Sequence, residues 1–249
     1  MTDIELLVDF YKNVERQGPG SSVETKKALN LLNFNPEIKL KIADIGCGTG
    51  AQTITLAEKT KGKIIAIDLF PEFLNVLKAN AKHLNLTNHI TVENQSMDNL
   101  NLGEEAFDLV WSEGAIYIMG FEEGLKAWST LLKKDGYIVV SEISWFSEDR
   151  PIELEAYWKR EYPQIDKISN KIKVIEKSGY TPVGFFKIPD YCWIDNYYQP
   201  MQLLFSEFLD RHKRSDAAVR LVDEAQKEIE LFEKYKAYYG YCFYLAQKL

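Results

Sequence analysis

Short apolar runs alternate with amphipathic stretches along the first three-fifths of the chain. Leu40 to Ile45, Lys63 to Asp68, Ile90 to Glu93, Phe107 to Trp111 and Tyr137 to Glu142 read as buried strands, being short, apolar and rich in β-branched residues. Between and before them apolar residues recur at helical spacing. Ile4, Leu7, Val8 and Tyr11 predict a helix over 3–15, and Val23 to Leu32 a second, capped by Ser22 and ended by Asn33 to Pro36. A third opens at Ala51, and Pro71 starts a fourth that runs to about Leu86. Phe121 to Leu132 follows as a helix, with Lys134-Asp135-Gly136 as a turn. Strands alternating with helices predict an α/β fold with a parallel, doubly wound sheet.

The C-terminal part has another rhythm. Ile165, Ile168, Ile172 and Ile175 form a helical stripe that stops at Gly179, and Val183 to Ile188 reads as a strand. Met201 to His212 and Ala217 to Tyr235 read as helices, and Glu224 to Lys236 as a solvated face. Tyr239, Tyr241, Phe243 and Leu245 alternate as in a last strand. The expected organisation is one domain, 1–249. Its core sheet covers about 37–188 and 238–249, its N-terminal helices 1–36, and a helical cap is inserted at about 190–236.

Composition narrows the function. A net charge of −7 argues against a nucleic-acid partner, which needs a basic footprint. Cys47, Cys192 and Cys242 are odd in number and far apart, which supports neither a disulfide framework nor a zinc site and suits a reducing cytoplasm. His83, His89 and His212 are scattered and read as surface residues, so no metal is expected. Met1 to Asn13 carries Asp3, Glu5 and Asp9 and no basic start, unlike a signal peptide, and no uncharged apolar run approaches a membrane span.

The most informative stretch is Ile42-Ala-Asp-Ile-Gly-Cys-Gly-Thr-Gly50, where a strand breaks into glycines at 46, 48 and 50 and a helix follows. Such a loop lets backbone press against a nucleotide, with the helix amides aimed at it. Asp44 would repel a pyrophosphate and attract a cation. The run Asp44 to Gly50 resembles the first motif of class I S-adenosylmethionine-dependent methyltransferases, and the chain is similar to their small-molecule type, such as the ubiquinone/menaquinone-biosynthesis group. That resemblance implies a Rossmann-like seven-stranded sheet with an antiparallel last strand. Gly46, Gly48 and Ala51 also fit the looser pattern of NAD-type oxidoreductases.

Further residues extend the site. Asp68 ends the second strand where a carboxylate can accept from both ribose hydroxyls, and it could otherwise cap the helix from Pro71. Leu69 and Phe70 are placed to cover the adenine. In the family the loop after the third strand usually presents an acid to the adenine. Here Ser96 stands in its place, followed by Met97 and Asp98, which leaves Ser96, Asp98 or backbone carbonyls to hold the amine. Arg16, Gly18 and Gly20 lie in a second glycine-rich loop that could close over the methionine end. Cys47, between the loop glycines, joins the cofactor set. Glu113 and Tyr117 follow the fourth strand, where the motif of base- and amide-methylating enzymes is missing. Glu113, placed near the sulfonium, Tyr117 and Glu142 are candidate bases. Aromatics crowd residues 145–198, and Trp145, Trp193 and Tyr197 join Tyr117 as candidate substrate walls.

The expected function is methyl transfer from S-adenosylmethionine to a small-molecule O, N, S or C nucleophile, with S-adenosylhomocysteine as product and no membrane insertion. The aromatic-rich cap leaves room for a homodimer contact. An oxidoreductase or a non-catalytic S-adenosylmethionine-binding protein would share the same loop.

Overall fold

The computed structural model describes residues 2–35 and 37–249. Met1, and Pro36 at the expected end of the second helix, lie outside the described residues. Strand β1 (Lys41–Ile45) is central, pairing in parallel with β2 (Lys63–Asp68) on one side and β4 (Phe107–Glu113) on the other. With β3 (Ile90–Asn94), β5 (Leu132–Trp145), β7 (Tyr180–Lys187) and β8 (Tyr239–Lys248), the order is β3-β2-β1-β4-β5-β8-β7. A two-residue strand, β6 (Asp166–Lys167), pairs with β5. Among the described strands only β8 runs against its neighbours β5 and β7, so the last strand is antiparallel as expected. The order reverses between β1 and β4, and a crevice opens beyond the strand ends at such a switch point.

Alternation along the strands feeds two cores. Leu109 and Trp111 face one side with Leu56 and Leu77, whereas Val110 faces the other with Leu125 and Trp128. Helices α3 (Ala51–Lys59) and α4 (Pro71–His83) supply the first side, and α5 (Phe121–Ser129) and α7 (Ile168–Lys177) the second.

Several boundaries differ from the sequence expectation for local reasons. Helix α1 (Asp3–Tyr11) stops early because Asn13 and Val14 N–H donate to Phe10 and Tyr11 carbonyls three residues back, a tight turn. Helix α2 (Ser22–Leu31) is capped by Ser21, not Ser22. The Ser21 hydroxyl accepts from Glu24 N–H at 3.1 Å. Helix α4 ends at His83 because Asn85 is left-handed (φ 58°), with Leu86 N–H reaching back to Ala81 carbonyl at 2.8 Å. Lys134-Asp135-Gly136 is a bulge inside β5 rather than a turn before it, with Asp135 at φ 61° and the register shifting opposite Phe107 and Leu109.

An unanticipated helix, α6 (Ile152–Glu161), follows β5. Between β7 and β8 come α8 (Tyr191–Trp193), a π-helical turn (Ile194–Tyr198), α9 (Gln199–Arg211) and α10 (Asp216–Tyr235). They dock on α1, where Phe10 meets Phe208 edge-on at 5.0 Å. His212 is not a free surface residue: its Nε2 lies 2.8 Å from Asp9 Oδ2, tying α9 to α1. Among the described residues no helix is long and apolar enough to cross a membrane.

Candidate active site

The glycine loop is shaped by three left-handed residues with different surroundings. Gly46 (φ 72°) and Cys47 both donate their N–H to Ile67 carbonyl at 2.9 Å, folding the loop back over β2. A Cβ on Gly46 would lie 2.5 Å from Ala115 Cβ, and one on Gly48 (φ 55°) 2.2 Å from Gln17 Oε1. At Gly50 the obstacle is Leu77 of α4, so this glycine serves helix packing rather than the crevice.

The N-terminal segment is stitched to this loop by Gln17. Its Oε1 accepts Thr49 N–H at 2.8 Å, and its Nε2 donates to Tyr11 and Val14 carbonyls at 3.0 Å each. Across the loop, Asp68 Oδ2 accepts Gly48 N–H at 2.8 Å and Oδ1 accepts Phe70 N–H at 3.0 Å. Burial nonetheless pushes the Asp68 carboxyl above its ordinary range.

These elements frame one cavity of about 580 Å³. Of the residues singled out in the sequence, Arg16, Gly18, Gly46, Cys47, Gly48 and Asp68 line it. So do Leu69, Phe70, Ser96, Met97 and Glu113, and at the far end Tyr117, Trp193 and Tyr197. Glu113 is held firmly: Thr25 Oγ1 donates to it at 2.6 Å, Trp111 Nε1 at 3.0 Å, and Arg16 approaches at 3.4 Å. The far end is aromatic. Tyr117 meets Tyr162 edge-on at 5.9 Å, Trp193 lies 5.0 Å from Tyr241, and Tyr11 and Tyr197 hydroxyls are 3.2 Å apart.

Five expected residues lie elsewhere. Asp44 is fully buried behind the loop, accepting from Thr53 Oγ1 at 2.5 Å and Gln52 Nε2 at 3.3 Å. Burial pushes its carboxyl up to about 7. It reaches the cavity only through Gln52, which lines it and also donates to Cys47 carbonyl at 3.2 Å. Its charge therefore does not sit beside a ligand as the sequence argument required. Gly20 is off the cavity, where its lack of a side chain leaves room for the Arg16 guanidinium. Asp98 points to solvent, one residue beyond Met97. Trp145 packs edge-on against Tyr239 at 6.1 Å under Arg150. Glu142 is enclosed with Lys171 at 3.0 Å, away from the cavity.

Sequence reasoning passed over Gln17, Gln52, Glu161, Tyr241 and Glu228, all of which line the cavity. A signal existed for Glu228. It falls on the stripe Leu221, Ala225, Phe232 of α10, the face that packs inward. Among the described residues no three His, Cys, Asp or Glu side chains are grouped to hold a metal ion.

A family model described as a methyltransferase domain matches residues 42–136. A probable cobalt-precorrin-6B C(15)-methyltransferase (decarboxylating) of Methanobrevibacter smithii is 28% identical over 136 residues, 55% of this chain and 70% of that protein. Release factor glutamine methyltransferase of Francisella tularensis subsp. tularensis is 38% identical over 96 residues, 38% of this chain but only 33% of that protein. A crystal structure of an S-adenosylmethionine-dependent methyltransferase from Thiobacillus denitrificans, in complex with S-adenosyl-L-homocysteine, shares the fold with a TM-score of 0.83. It is 17% identical, with 100% of this chain and 99% of that one covered. Residues 42–136 thus match a methyltransferase domain, and the whole chain shares its fold with an S-adenosylmethionine-dependent methyltransferase. Support for S-adenosylmethionine over a dinucleotide thus comes from the domain match and not from Asp44.

Proposed function

We propose that the chain moves a methyl group from S-adenosylmethionine to a small-molecule acceptor within this one cavity. The observation that carries the reading is its two-ended lining: glycine loop and Asp68 at one end, aromatic side chains of α6, the π-turn and β8 at the other. The first end fits the cofactor. Gly46 and Gly48 let the loop lie against Ala115 and Gln17 where a Cβ would collide, Asp68 offers a carboxylate to ribose hydroxyls, and Phe70 and Met97 offer apolar faces to the adenine. When bound, S-adenosylmethionine supplies an already activated methyl group.

The protein's own work is then orientation and exclusion of water. Gln17 and Arg16 hold the N-terminal segment over the loop, with Arg16 facing the methionine carboxylate. Glu113, already engaged by three donors, is a positioning residue for Arg16 rather than a free base. Tyr117 stands at the mouth and guides the acceptor. The net charge of −7 favours a small acceptor over a polyanion.

Separate calorimetric titrations with S-adenosylmethionine, S-adenosylhomocysteine and NAD test the reading. Micromolar binding of the first two without the third supports it, and binding of NAD alone overturns it.

A further inference from the structure

The aromatic end of the cavity carries one carboxylate, Glu228, without a cationic partner among the described residues. Arg16 is the cation on the cavity wall, and it is already matched by Glu113. Beyond that pair the charged lining residues of this end are Glu161 at the rim, matched by Arg160 at 2.6 Å, and Glu228 on the inward face of α10. Glu228 Oε1 accepts from Tyr198 hydroxyl at 2.9 Å, and no lysine, arginine or histidine of the described residues pairs with it.

Burial raises the Glu228 carboxyl above its ordinary range, because a carboxylate set among aromatic rings without a counter-ion is costly unless a bound cation supplies the positive charge. Its field reaches across the compartment. Burial is the larger cause of the raised hydroxyl pKa of Tyr11, Tyr117 and Tyr157, and the Glu228 charge is the next in each. The rings of Trp193, Tyr197 and Tyr157 line the same end, and Tyr157 already takes the Arg160 guanidinium over its ring at 5.5 Å, the kind of contact an aromatic wall offers a cation.

We propose that the methyl acceptor is a small molecule carrying a positively charged nitrogen, held by Glu228 among the rings of Trp193, Tyr197 and Tyr157, and that Glu228 is the residue that selects it. The inference rests on the methyltransferase reading of the cavity. Glu228 forms no covalent bond in this role; it neutralises the acceptor's charge while the aromatic faces exclude water. A hydrophobic acceptor without charge would leave Glu228 buried and unmatched, and an anionic one would be repelled.

The test uses the full chain saturated with S-adenosylhomocysteine and three probes that share a phenyl ring: phenethylamine, phenethyl alcohol and phenylacetate. The amine should bind roughly tenfold or more tighter than the alcohol, with phenylacetate weakest. Glu228→Gln should bring amine and alcohol to within about threefold of each other and leave S-adenosylhomocysteine affinity unchanged, which also shows that the variant is folded. Glu161→Gln, at the rim, should cost the amine less. Equal affinity of amine and alcohol in the parent chain, or absence of both up to millimolar concentration, overturns the inference. So does a preference that survives Glu228→Gln. Failure of S-adenosylhomocysteine to bind the parent chain overturns the methyltransferase reading itself, and the two failures are told apart by that first titration.

Discussion

Replacing Asp68 by alanine separates two roles that its position allows. Its carboxylate accepts Phe70 N–H at 3.0 Å two residues on, an ordinary turn-forming contact, and also accepts Gly48 N–H at 2.8 Å from the glycine loop. If those contacts were its whole purpose, Asp68→Ala would loosen the turn by about 1 kcal/mol each and leave cofactor affinity nearly intact. If the carboxylate also receives two ribose hydroxyls, the loss is larger. Hydrogen bonds to a charged acceptor contribute about 1.5–3 kcal/mol apiece, so two amount to about 3–6 kcal/mol, or roughly a hundredfold to ten-thousandfold in Kd. Calorimetry with S-adenosylhomocysteine reads the affinity, and urea unfolding of the same sample reads the turn. A variant with reduced stability but with affinity within about threefold of the parent would refute the ribose role and leave Asp68 a turn residue.

Gly48→Ala should weaken S-adenosylhomocysteine binding by roughly tenfold or more, because its Cβ would meet Gln17 Oε1 at 2.2 Å on a left-handed backbone. Adding Gln17→Ala should recover part of that loss, and strictly additive effects of the pair would count against the collision. Burial raises the Asp44 carboxyl from 3.8 to about 7, so between those values the folded chain holds a proton that the unfolded chain has released. The resulting stability is full below about pH 4 and is lost as pH rises through about 7, by about 4 kcal/mol. Asp44→Asn removes this titration, so its unfolding free energy should fall less than the parent's between about pH 5 and 8, and parallel curves would refute it. Glu113→Gln should raise the KM for S-adenosylmethionine without moving the pH–rate profile; disappearance of an ionisation from that profile would restore Glu113 as a base.

Much of the sheet was legible because strand length and apolar content report burial directly. Lys63–Asp68 is a strand with the same bounds as the sequence suggested, and the glycine loop follows β1 as expected. What failed depended on partners that no local pattern names. Asp44 is near the loop in sequence, yet its side chain leaves the strand on the face covered by α3, where Thr53 and Gln52 enclose it. Trp145 was one aromatic among many, and only the packing of Tyr239 and Arg150 turns it from the cavity. Glu228 was hidden by its charged neighbours, because a run read as one solvated face conceals a single inward member. The bulge at Asp135 looked like a turn since both use a left-handed residue.

The excursion between β7 and β8 leaves the sheet and returns in the neighbouring strand, where Lys187 pairs with Cys242. The chain thus leaves and rejoins this ladder at points about one strand spacing apart, ~5 Å. Closing a longer or shorter loop there changes the chain entropy only slowly with length. Residues 188–238 can therefore be exchanged as a unit provided that their contacts with the N-terminal helices, such as Phe208 with Phe10 and His212 with Asp9, are carried over, because that N-terminal segment is tied to the glycine loop by Gln17. A chimera carrying another such excursion should keep its nucleotide affinity and acquire a new acceptor preference, so that the choice of what is methylated is inherited separately from the means of methylating it.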